Sequence, residues 1–568
     1  MKAWIAIAGS FAALIAGNVR ADAVSDGQTY FKSNCALCHD VSPAQKNGQG
    51  PGLYGVVGRK VGAAKGFDYG AAMKAANAKG QIWTADGLNG FLTDPQKAMP
   101  GTAMPVKITD PTARANVVAY LISLTGAAAT AAKPAAKAAP AQASANPAFD
   151  WHKDAPGVRH HVGPKDLPAP FATESAGNSP VFSAPPADFL PKVPAGFGIT
   201  VFSRAADHPR QMHFAPNGDL FFSEPRKGQV SVFHNNNGVL DPTPVVFASG
   251  LDHPFGIAFY PAADPKYVYV ATPTTVVRYP YHTGAVTADG PAETIVSGIA
   301  SGGSHNTRDL AFSKDGKSLY ISVGSATNDA EDMKTPPDGG VRAWEATHGL
   351  GASWSADDGR ALVLRVDPDG GHRQVVATGL RNCVGVAIEP ASGDPYCTTN
   401  ERDGTGDNLV PDYFTRLSQG ATFGWPWYYL GDHEDPRHAG ERPDLRGHIT
   451  VPDVWFVSHS APLQFAFYEP PAGAAHAFPA AWRGDAFVVL HGSWNRSART
   501  GSKVVRVLFK NGRPTGEYED FLTGLIADDK TVLGRPSAVA VAADGTLYVG
   551  DDAGNVVWHI VPTQSQKK

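Results

Sequence analysis

The chain has 568 residues, of which 43% are hydrophobic and 18% are charged, so it can form several folded cores and is not a disordered protein. Lysine and arginine total 49 against 53 acidic residues, and a net charge of −4 disfavours a nucleic-acid partner. The 61 glycines and 46 prolines favour many turns and short strands, and four cysteines exclude a disulfide-dense scaffold.

The N-terminus has the pattern of a secretory signal peptide. A short positive start precedes an apolar run over residues 3–17, and small residues follow at Ala21 and Ala23. An uncleaved anchor is the alternative, but the run is shorter than the ~20 apolar residues that a spanning helix needs. We therefore predict that residues 1–23 are removed and that the protein is periplasmic, either free or membrane-associated, with no transmembrane span in the mature chain.

Composition divides the rest of the chain into three regions. Residues 24–126 have helical patterning that ends in an amphipathic helix over residues 113–124. Residues 127–149 are almost only Ala, Pro, Lys, Thr, Ser and Gln, a composition that forms no packed core, so we predict a semi-extended linker. Residues 150–568 are typical of β-structure.

One phrase recurs in the β-region: a few apolar residues, a turn with Pro, Asp or Gly, and a second alternating strand. Its copies begin at Met212, Ile257, Leu310, Val386, Phe465 and Val539. Six units with one hairpin each, at unequal spacing, predict a six-bladed all-β propeller. The helical patterning of residues 24–126 predicts a small all-α domain before it. A β-sandwich with coincidental hairpins is the alternative, but a single sandwich rarely needs about 400 residues.

The helical region contains a CxxCH motif. Cys35 and Cys38 lie one helical turn apart, where both thiols can bond the vinyl groups of a haem, and His39 follows as an axial iron ligand. On its own, CxxCH also fits another metal or redox site. A backbone carbonyl at Gly50 or Pro51 is placed to accept the second N–H of His39 and to fix its tautomer.

The residues around this motif resemble class I cytochromes c, and the resemblance covers residues 24–126. The loop over residues 50–59 is similar to the loop that follows the haem motif in that family. Residues 66–69 and Trp83 lie where the family places its propionate-binding groups. The resemblance implies a covalent haem c.

The same resemblance identifies Met104 as the distal iron ligand. A thioether favours reduced iron and raises its potential, which suits electron transfer. Met99 is the competing ligand, but we expect it to pack beside the haem. With His39 and Met104 both bound, the iron has no open position, so the haem is expected to carry electrons rather than to perform substrate chemistry.

The propeller region resembles the soluble pyrroloquinoline quinone (PQQ) sugar dehydrogenases, most closely their sorbosone dehydrogenase-like branch. The phrases that carry the resemblance lie in order at residues 303–310 (GSHNTRDL), 379–382 (GLRN), 400–404 (NERDG), 423–426 (FGWP), 491–496 (HGSWNR) and 534–536 (GRP). The resemblance implies PQQ, a calcium ion and a sugar-like substrate.

This resemblance also implies roles for four residues. His305 matches the family's catalytic histidine, whose neutral imidazole takes a hydroxyl proton while hydride moves to the quinone. Arg381 matches an arginine at the quinone oxygens, which stabilises the reduced quinone, and Asn382 lies beside it. Arg535 matches an arginine that binds a cofactor carboxylate.

His459 and Arg496 are further candidates for the PQQ pocket. All of these candidates precede a repeat strand or lie in a loop, so we expect them at one mouth of the propeller. For Arg381 and Arg535, a surface salt bridge is the alternative.

The calcium ion is expected at Asp403 and Gly404. In the family, backbone carbonyls hold the ion against the quinone, and an oxygen-rich loop that contains glycine suits a hard cation. The side chains of this loop differ from those of the glucose-oxidising relatives, and an ordinary turn is the alternative.

Cys383 and Cys397 flank a hairpin of the fourth repeat. In an exported protein, they form either a cross-strand disulfide or two buried thiols.

Together these features predict a quinohaemoprotein that oxidises a sugar-like aldehyde, hemiacetal or hydroxyl with PQQ and calcium. Electrons then leave through haem c to a respiratory acceptor, which is a quinone, a cytochrome or an oxidase. A calcium-dependent lactonase-type hydrolase and a cofactor-free propeller that docks a partner are the alternatives. The first needs carboxylates and amides around a central ion, whereas the candidates here are cationic. The joint presence of His305, Arg381 and Arg535 argues against the second.

Overall fold

The computed structural model divides the chain into two compact units, residues 1–139 and 140–568. The described residues are 24, 27–28, 30–31, 34–36, 39–43, 45–48, 50–67, 69–100, 102, 104, 106–108, 110–124, 146–331, 333 and 335–563. The predicted signal peptide (residues 1–23), most of the predicted linker and Cys38 lie outside this set. Among the described residues, no helix has both the length and the apolar character needed to cross a bilayer.

The first unit is a small all-α domain, as predicted. Its helices include α1 (Ala71–Ala78), α2 (Ala85–Thr93), α3 (Pro95–Ala98) and α4 (Pro111–Ser123). Thr84 and Asp94 cap α2 and α3, because their side-chain oxygens accept the backbone N–H groups of Gly87 at 3.0 Å and Lys97 at 3.2 Å. The helix predicted over residues 113–124 corresponds to α4.

The core of this unit joins one face of α2 to one face of α4. Leu88 and Leu92 of α2 pack in one buried cluster with Val117 and Leu121 of α4. Each pair is four residues apart, a spacing that places both side chains on the same side of a helix. The two helices therefore form the walls of the cavity described below.

The second unit is a six-bladed β-propeller, as predicted. Each blade is a sheet that contains four antiparallel strands. The strands are Met212–Phe214, Leu220–Glu224, Gln229–Phe233 and Val245–Ser249 in blade one; Ile257–Tyr260, Tyr267–Ala271, Val276–Pro280 and Glu293–Val296 in blade two; Leu310–Phe312, Leu319–Val323, Leu362–Val366 and Gln374–Thr378 in blade three; Cys383–Ile388, Pro395–Thr399, Tyr413–Arg416 and Val454–Trp455 in blade four; Pro462–Phe467, Ala486–Leu490, Lys503–Lys510 and Arg513–Leu522 in blade five; and Pro536–Val541, Leu547–Asp551, Val556–Pro562 and Phe197–Ser203 in blade six.

Short elements decorate the blades. The further strands are Arg159–His161 on blade five, Ala421–Thr422 on blade three, and the pairs Val181–Phe182 with Thr531–Val532, Asn235–Asn236 with Val239–Leu240, and Tyr428–Tyr429 with His433–Glu434. The helix α5 spans Val341–His348, and 3₁₀ turns span Pro147–Phe149, Trp151–Lys153, Pro164–Asp166, Pro225–Lys227, Ser355–Asp357, Pro436–His438, Pro443–Leu445 and Ala480–Trp482.

The ring closes through blade six, which combines both ends of this unit. Its outer strand Phe197–Ser203 pairs antiparallel with the last strand, Val556–Pro562. The first strand of each blade contacts the first strand of the next around the whole ring. Three predicted repeats begin at the first residue of such a strand, and the other three begin inside one, so the repeated phrase marks the innermost strand and its neighbour.

Two buried polar side chains join the innermost strands. Asp309 accepts the N–H groups of Leu310 at 2.9 Å and Val386 at 2.8 Å, which links blades three and four. Gln464 of blade five accepts the N–H of Met212 at 3.0 Å and donates to the Met212 carbonyl at 2.8 Å, which links it to blade one. Because buried backbone groups need partners, these contacts hold the blades in register with one another.

Of the two alternatives for Cys383 and Cys397, the structure contains the disulfide. It joins the first two strands of blade four, directly after Arg381 and Asn382.

Candidate active site and haem crevice

An apolar cavity of about 340 Å³ lies in the first unit. Its lining includes Leu88, Phe91 and Leu92 of α2, Val117 and Leu121 of α4, and the predicted haem residues Cys35, His39, Arg59, Phe67, Tyr69, Trp83 and Met104. Asp68 and Cys38 are not among the described residues.

His39 is held in one tautomer at the wall of this cavity. Its Nδ1 atom lies 2.9 Å from the Pro51 carbonyl oxygen, which only accepts, so Nδ1 carries the proton and Nε2 keeps a lone pair for a metal. The predicted contact with a backbone carbonyl is therefore confirmed. Gly50 lies against the ring, where a Cβ atom would stand 2.3 Å from Cε1 of His39. Burial lowers the pKa of His39, which favours the neutral imidazole.

The two methionine candidates occupy different places. Met104 lines the cavity, whereas Met99 packs in the adjoining apolar cluster with Val61 and Phe91 and is absent from the lining. Arg59, also in the lining, is fixed by a hydrogen bond of 2.6 Å from Nη2 to the Gly52 carbonyl. An apolar cavity with a neutral imidazole, a thioether and a guanidinium fits a haem, whose axial ligands would be His39 and Met104.

The predicted site residues of the propeller gather at one mouth. In an antiparallel blade, the start of the first strand and the end of the second meet at the same edge. The residues just before first strands are Arg210, His305, Arg381, Asn382, His459 and Arg535, and those just after second strands are Ser325, Asn328, Asp403, His491, Asn495 and Asp552. The hydrogen bonds described next join these two groups.

His305 is fixed as a neutral base. Its Nδ1 lies 2.9 Å from the Ser325 carbonyl oxygen, so Nδ1 carries the proton, and Nε2 makes no hydrogen bond to any described residue. Burial lowers the pKa of His305 to about 3, with a further contribution from the charge of Arg381. The Nε2 lone pair is therefore present at all ordinary pH values.

Arg381 is a buried cation whose donors are already engaged. Nε donates to the Asn328 carbonyl at 2.9 Å, and Nη2 donates to its side-chain oxygen at 2.9 Å. Nη1 donates to the carbonyls of Glu401 at 2.8 Å and Asn400 at 3.4 Å, and Nη2 also faces Asp403 Oδ2 at 3.6 Å. Arg381 thus supplies a fixed positive charge at the mouth rather than spare N–H groups for a quinone oxygen.

Asn382 carries the clearest sign of a missing partner. Its side chain is buried, and its Oδ1 atom has no hydrogen-bond partner among the described residues. Asn382 Oδ1 and the Cβ of His305 pack directly against Gly324, because a Cβ atom there would stand 2.4 Å from the first and 2.7 Å from the second. An unpaired buried amide oxygen is costly, and only an N–H or O–H donor would relieve it.

Of the two residues expected to hold calcium, Asp403 and Gly404, the first has a backbone carbonyl that is already engaged. The Asp403 carbonyl oxygen already accepts from Asn328 Nδ2 at 3.0 Å and from Arg437 Nη1 at 3.0 Å. Two N–H donors, one of them cationic, occupy the lone pairs that a metal would need and repel a cation. The backbone of this loop is instead held by nitrogen donors, so we assign no step to calcium here.

The Asp403 carboxylate is the centre of a charged cluster. Oδ1 accepts from Asn495 Nδ2 and lies 3.5 Å from His459 Nδ1. Nε2 of His459 donates to the Gly406 carbonyl at 3.1 Å, and although burial lowers the pKa of His459, the Asp403 carboxylate raises it overall. The Asp403 carboxylate thus favours the protonated ring of His459, which lies in the same cluster as Arg381.

Arg535 lies in a second charged group at this mouth. Its Nε donates to the His491 carbonyl at 3.2 Å and its Nη2 to the Gly492 carbonyl at 3.1 Å. Nη1 makes no hydrogen bond within the described chain. Nearby, Asp552 accepts from His491 Nε2 at 2.8 Å and pairs with Arg210 at 2.9 Å. This group joins blades five, six and one, and Arg535 keeps a donor for an anionic ligand.

Arg496 is separated from these charges by its partners. Its guanidinium donates to Asn408 Oδ1 at 2.9 Å and to the carbonyls of Ala498 at 2.9 Å and Phe149 at 3.2 Å. The structure therefore uses Arg496 to bind the segment that precedes the propeller to blade five, and it leaves no free donor toward the mouth.

An open cavity of about 580 Å³ lies on the side of blades one and two, and its lining includes both sequence neighbours of His305 but not His305 itself. Ser304 and Asn306, which flank His305, line it together with Arg210 and Asp552. Its size is within the range of ligand pockets, and its polar lining suits a hydroxyl-rich molecule.

Arg210, Asn328 and Asp552 were not among the residues predicted from the sequence. Arg210 precedes the first strand of blade one by two residues, as Arg381 precedes that of blade four, so the same rule applied to every repeat would have found it. Asn328 and Asp552 follow second strands, and no local pattern distinguishes them from other loop residues.

Comparison with known proteins gives matches for both units. A family described as TrAA12-like matches residues 191–410 and 442–563, and the cytochrome c family matches residues 24–125. Cytochrome c2 of Agrobacterium tumefaciens (strain II Chrys) is 39% identical over 100 residues, which cover 17% of this chain and 89% of that protein. The N-terminal unit is thus a cytochrome c domain.

The relatives of the propeller are more distant. An uncharacterized protein of Borreliella burgdorferi is 26% identical over 259 residues, which cover 45% of this chain and 60% of that protein. The holo form of a pyranose dehydrogenase PQQ domain from Coprinopsis cinerea superposes with a TM-score of 0.52 at 21% identity, over 66% of this chain and 98% of that domain. At 21% identity, this structural similarity shows that the two proteins share a fold and shows nothing more.

Proposed function

The chain belongs to the TrAA12-like family and carries an N-terminal cytochrome c domain, and we propose that it is a quinohaemoprotein that oxidises a sugar or a sugar-derived hydroxyl or aldehyde. The observation that carries this proposal is His305. Its Nδ1 is held by Ser325, and its Nε2 is an unprotonated base among cations at the mouth of the propeller.

The residues at this mouth fit PQQ, which has three carboxylates. Arg535 would bind one carboxylate through its unengaged Nη1. Arg381 would lower the cost of negative charge that develops nearby. When bound, PQQ supplies an ortho-quinone that accepts two electrons from the substrate.

The chain's own residues then perform the proton chemistry. His305 Nε2 takes the proton of the substrate hydroxyl, and its Nδ1–H bond to Ser325 strengthens as the ring becomes positive. The polar cavity beside His305 would hold the rest of the substrate. We do not include calcium at Asp403, because its carbonyl is engaged by Arg437 and Asn328.

The cytochrome c domain would pass the electrons on, one at a time, to a respiratory acceptor. His39 and Met104 would hold the iron of its haem, and a haem held by two protein side chains suits electron transfer rather than substrate chemistry. We propose a periplasmic location from the signal-peptide pattern of residues 1–23, which fractionation of expressing cells would test.

The test is substrate-dependent haem reduction by the purified full chain. PQQ is added with and without calcium, and the reduced haem band is followed with a panel of aldoses and sorbosone. Reduction that requires both PQQ and a sugar supports the proposal. PQQ binding without turnover on the panel points to another substrate, and failure to bind PQQ overturns the quinoprotein assignment.

A further inference from the structure

Residues 162–180, here called the strap, run between the strands Arg159–His161 and Val181–Phe182. The range that matches the TrAA12-like family begins at residue 191, so the strap is an addition to the matched core. It nevertheless contacts two loops at the mouth, residues 403–408 and 493–499.

At the first loop, the strap makes two hydrogen bonds. The N–H of Phe171 donates to the Thr405 carbonyl at 2.8 Å, and Thr173 Oγ1 accepts from the N–H of Asp407 at 2.8 Å. Gly406, between them, has a φ of +118°, and a Cβ atom there would stand 2.9 Å from Thr173 Oγ1. Its carbonyl accepts from His459, the partner of Asp403. The strap thus packs closely against this loop, and Gly406 connects it through His459 to the charged cluster around Asp403.

At the second loop, the strap is anchored by Asn178, which is 5% exposed. Its Nδ2 lies within 3.1 Å of the carbonyl oxygens of Arg496 and Ser497, and its N–H donates to the Trp494 carbonyl at 2.7 Å. These residues flank Asn495, whose side chain donates to Asp403. The strap therefore fixes both the loop that carries Asp403 and the loop that supplies its amide partner.

We infer that the strap is a positioning element of the active site, which acts by holding Asp403 against Arg381 through Thr173 and Asn178. The inference rests on the proposed function for its effect on catalysis. The contacts run from Thr173 and Asn178 to the two loops, and from there to the Asp403 carboxylate, which lies 3.6 Å from Arg381 Nη2. The Asp403 carboxylate favours the positive charge that forms on His305 when this residue takes a proton, and a carboxylate displaced from the mouth would favour it less.

The first test compares Thr173→Val, which removes the acceptor at nearly constant volume, with Thr173→Ser, which keeps it. We expect Thr173→Val to lower kcat/KM for PQQ-dependent haem reduction by about threefold to tenfold, the effect of one hydrogen bond. Thr173→Ser should retain wild-type activity. Asp166→Ala, which removes only a local bond to the N–H of Gly163 within the strap, is the control and should retain activity as well.

A double-mutant cycle distinguishes positioning from general weakening. If the strap acts through Asp403, adding Thr173→Val to Asp403→Asn should lower kcat/KM by less than twofold further. The full effect of Thr173→Val in the Asp403→Asn background would overturn the inference. Asn178→Ala should show the same reduced effect in the Asp403→Asn background. If Asn178→Ala does not fold, because Asn178 is buried, the cycle with Thr173→Val alone tests the inference.

A second readout does not depend on activity. Amide hydrogen exchange on the full chain should speed up over residues 403–408 in Thr173→Val but not in Thr173→Ser, with the blade strands unchanged. Unchanged exchange in this loop overturns the strap's role. If the wild type does not bind PQQ while exchange changes as expected, the proposed function fails and the structural role of the strap stands.

Discussion

The Nδ1 atom of His305 donates to the Ser325 carbonyl at 2.9 Å, and this contact determines which nitrogen of the ring can act as a base. A carbonyl oxygen cannot donate, so the proton stays on Nδ1 and the lone pair stays on Nε2. The backbone of Ser325 is itself anchored, because its N–H donates to the Arg381 carbonyl at 2.7 Å. The base of blade three is thus positioned by the residue that supplies the charge in blade four.

Replacement of His305 should abolish most of the activity. We expect His305→Gln to lower the rate of PQQ-dependent haem reduction by roughly 10²- to 10⁴-fold, because glutamine cannot accept the hydroxyl proton. The rate is measured in single-turnover mixing of the PQQ-loaded chain with substrate. His372→Gln is the control, since His372 lies on the same blade but is exposed and pairs with Asp367 on the outer hairpin. Similar losses in both variants would contradict the role of His305.

The pH dependence follows from the direction of the His305 shift. Its pKa is lowered to about 3, and only the neutral ring is a base, so activity present at pH 7 should persist on acidification until pH approaches 3. A histidine with an ordinary pKa would instead lose activity through pH 6.5. The measurement is kcat/KM for haem reduction between pH 4.5 and pH 8, with stability monitored in parallel. An acid limb near pH 6.5 would contradict this environment.

Arg535 and Arg496 should respond differently to the same substitution. We expect Arg535→Leu to raise the Kd for PQQ at least about tenfold, because its Nη1 is the donor left for a carboxylate. Arg496→Leu should leave that Kd unchanged and lower the free energy of unfolding by about 3 kcal/mol, because it strands several buried acceptors. Titration of PQQ and denaturant unfolding check both expectations, and a reversed pattern would place PQQ elsewhere.

Gly50 should be essential for the haem site. In Gly50→Ala, the new Cβ would stand 2.3 Å from the His39 ring, so the imidazole must leave its place and haem incorporation should fall severalfold. Gly90→Ala is the matched control, because nothing lies within 4 Å of a Cβ there, and alanine favours the α2 helix by up to about 1 kcal/mol. The ratio of haem to protein in purified samples is the measurement. Equal ratios would mean that the ring has room to move.

The two methionines of the first unit should differ in their effect on the haem potential. Met104→Leu should lower the reduction potential, because loss of the thioether removes the ligand that favours reduced iron. Met99→Leu should leave it nearly unchanged, since Met99 packs outside the cavity lining. Spectroelectrochemical titration measures both potentials, and a larger shift in Met99→Leu would exchange the two assignments.

Local patterns predicted the architecture well. The alternation of apolar residues around a turn is a property of neighbouring residues, so the phrases at Met212, Ile257 and Leu310 marked innermost strands before any tertiary contact was known. The CxxCH motif and the spacing to Met104 are likewise properties of the chain itself. The resemblance of the propeller region to a known family identified His305, Arg381 and Arg535, and their positions before repeat strands predicted that they share one mouth.

The roles of individual charged residues were harder to predict from the sequence. Arg496 and Arg535 are both loop arginines after the start of the fifth repeat. Arg496, however, donates a hydrogen bond to the carbonyl of Phe149, which lies 347 residues away along the chain. Asp403 was expected to offer its carbonyl to calcium, but Arg437 and Asn328 occupy that oxygen. Neither partner could be inferred from sequence spacing, because no periodic pattern links these loops.

The amino-acid sequence was thus sufficient for the order of the cytochrome c domain and the propeller and for the number of blades, because these depend on periodicity and composition. The tertiary structure was needed to show which hydrogen-bonding groups already have a partner within the protein and which remain available to a ligand. Closure of the ring brings together loops from blades that are distant in sequence, and the partner of each buried donor is decided there.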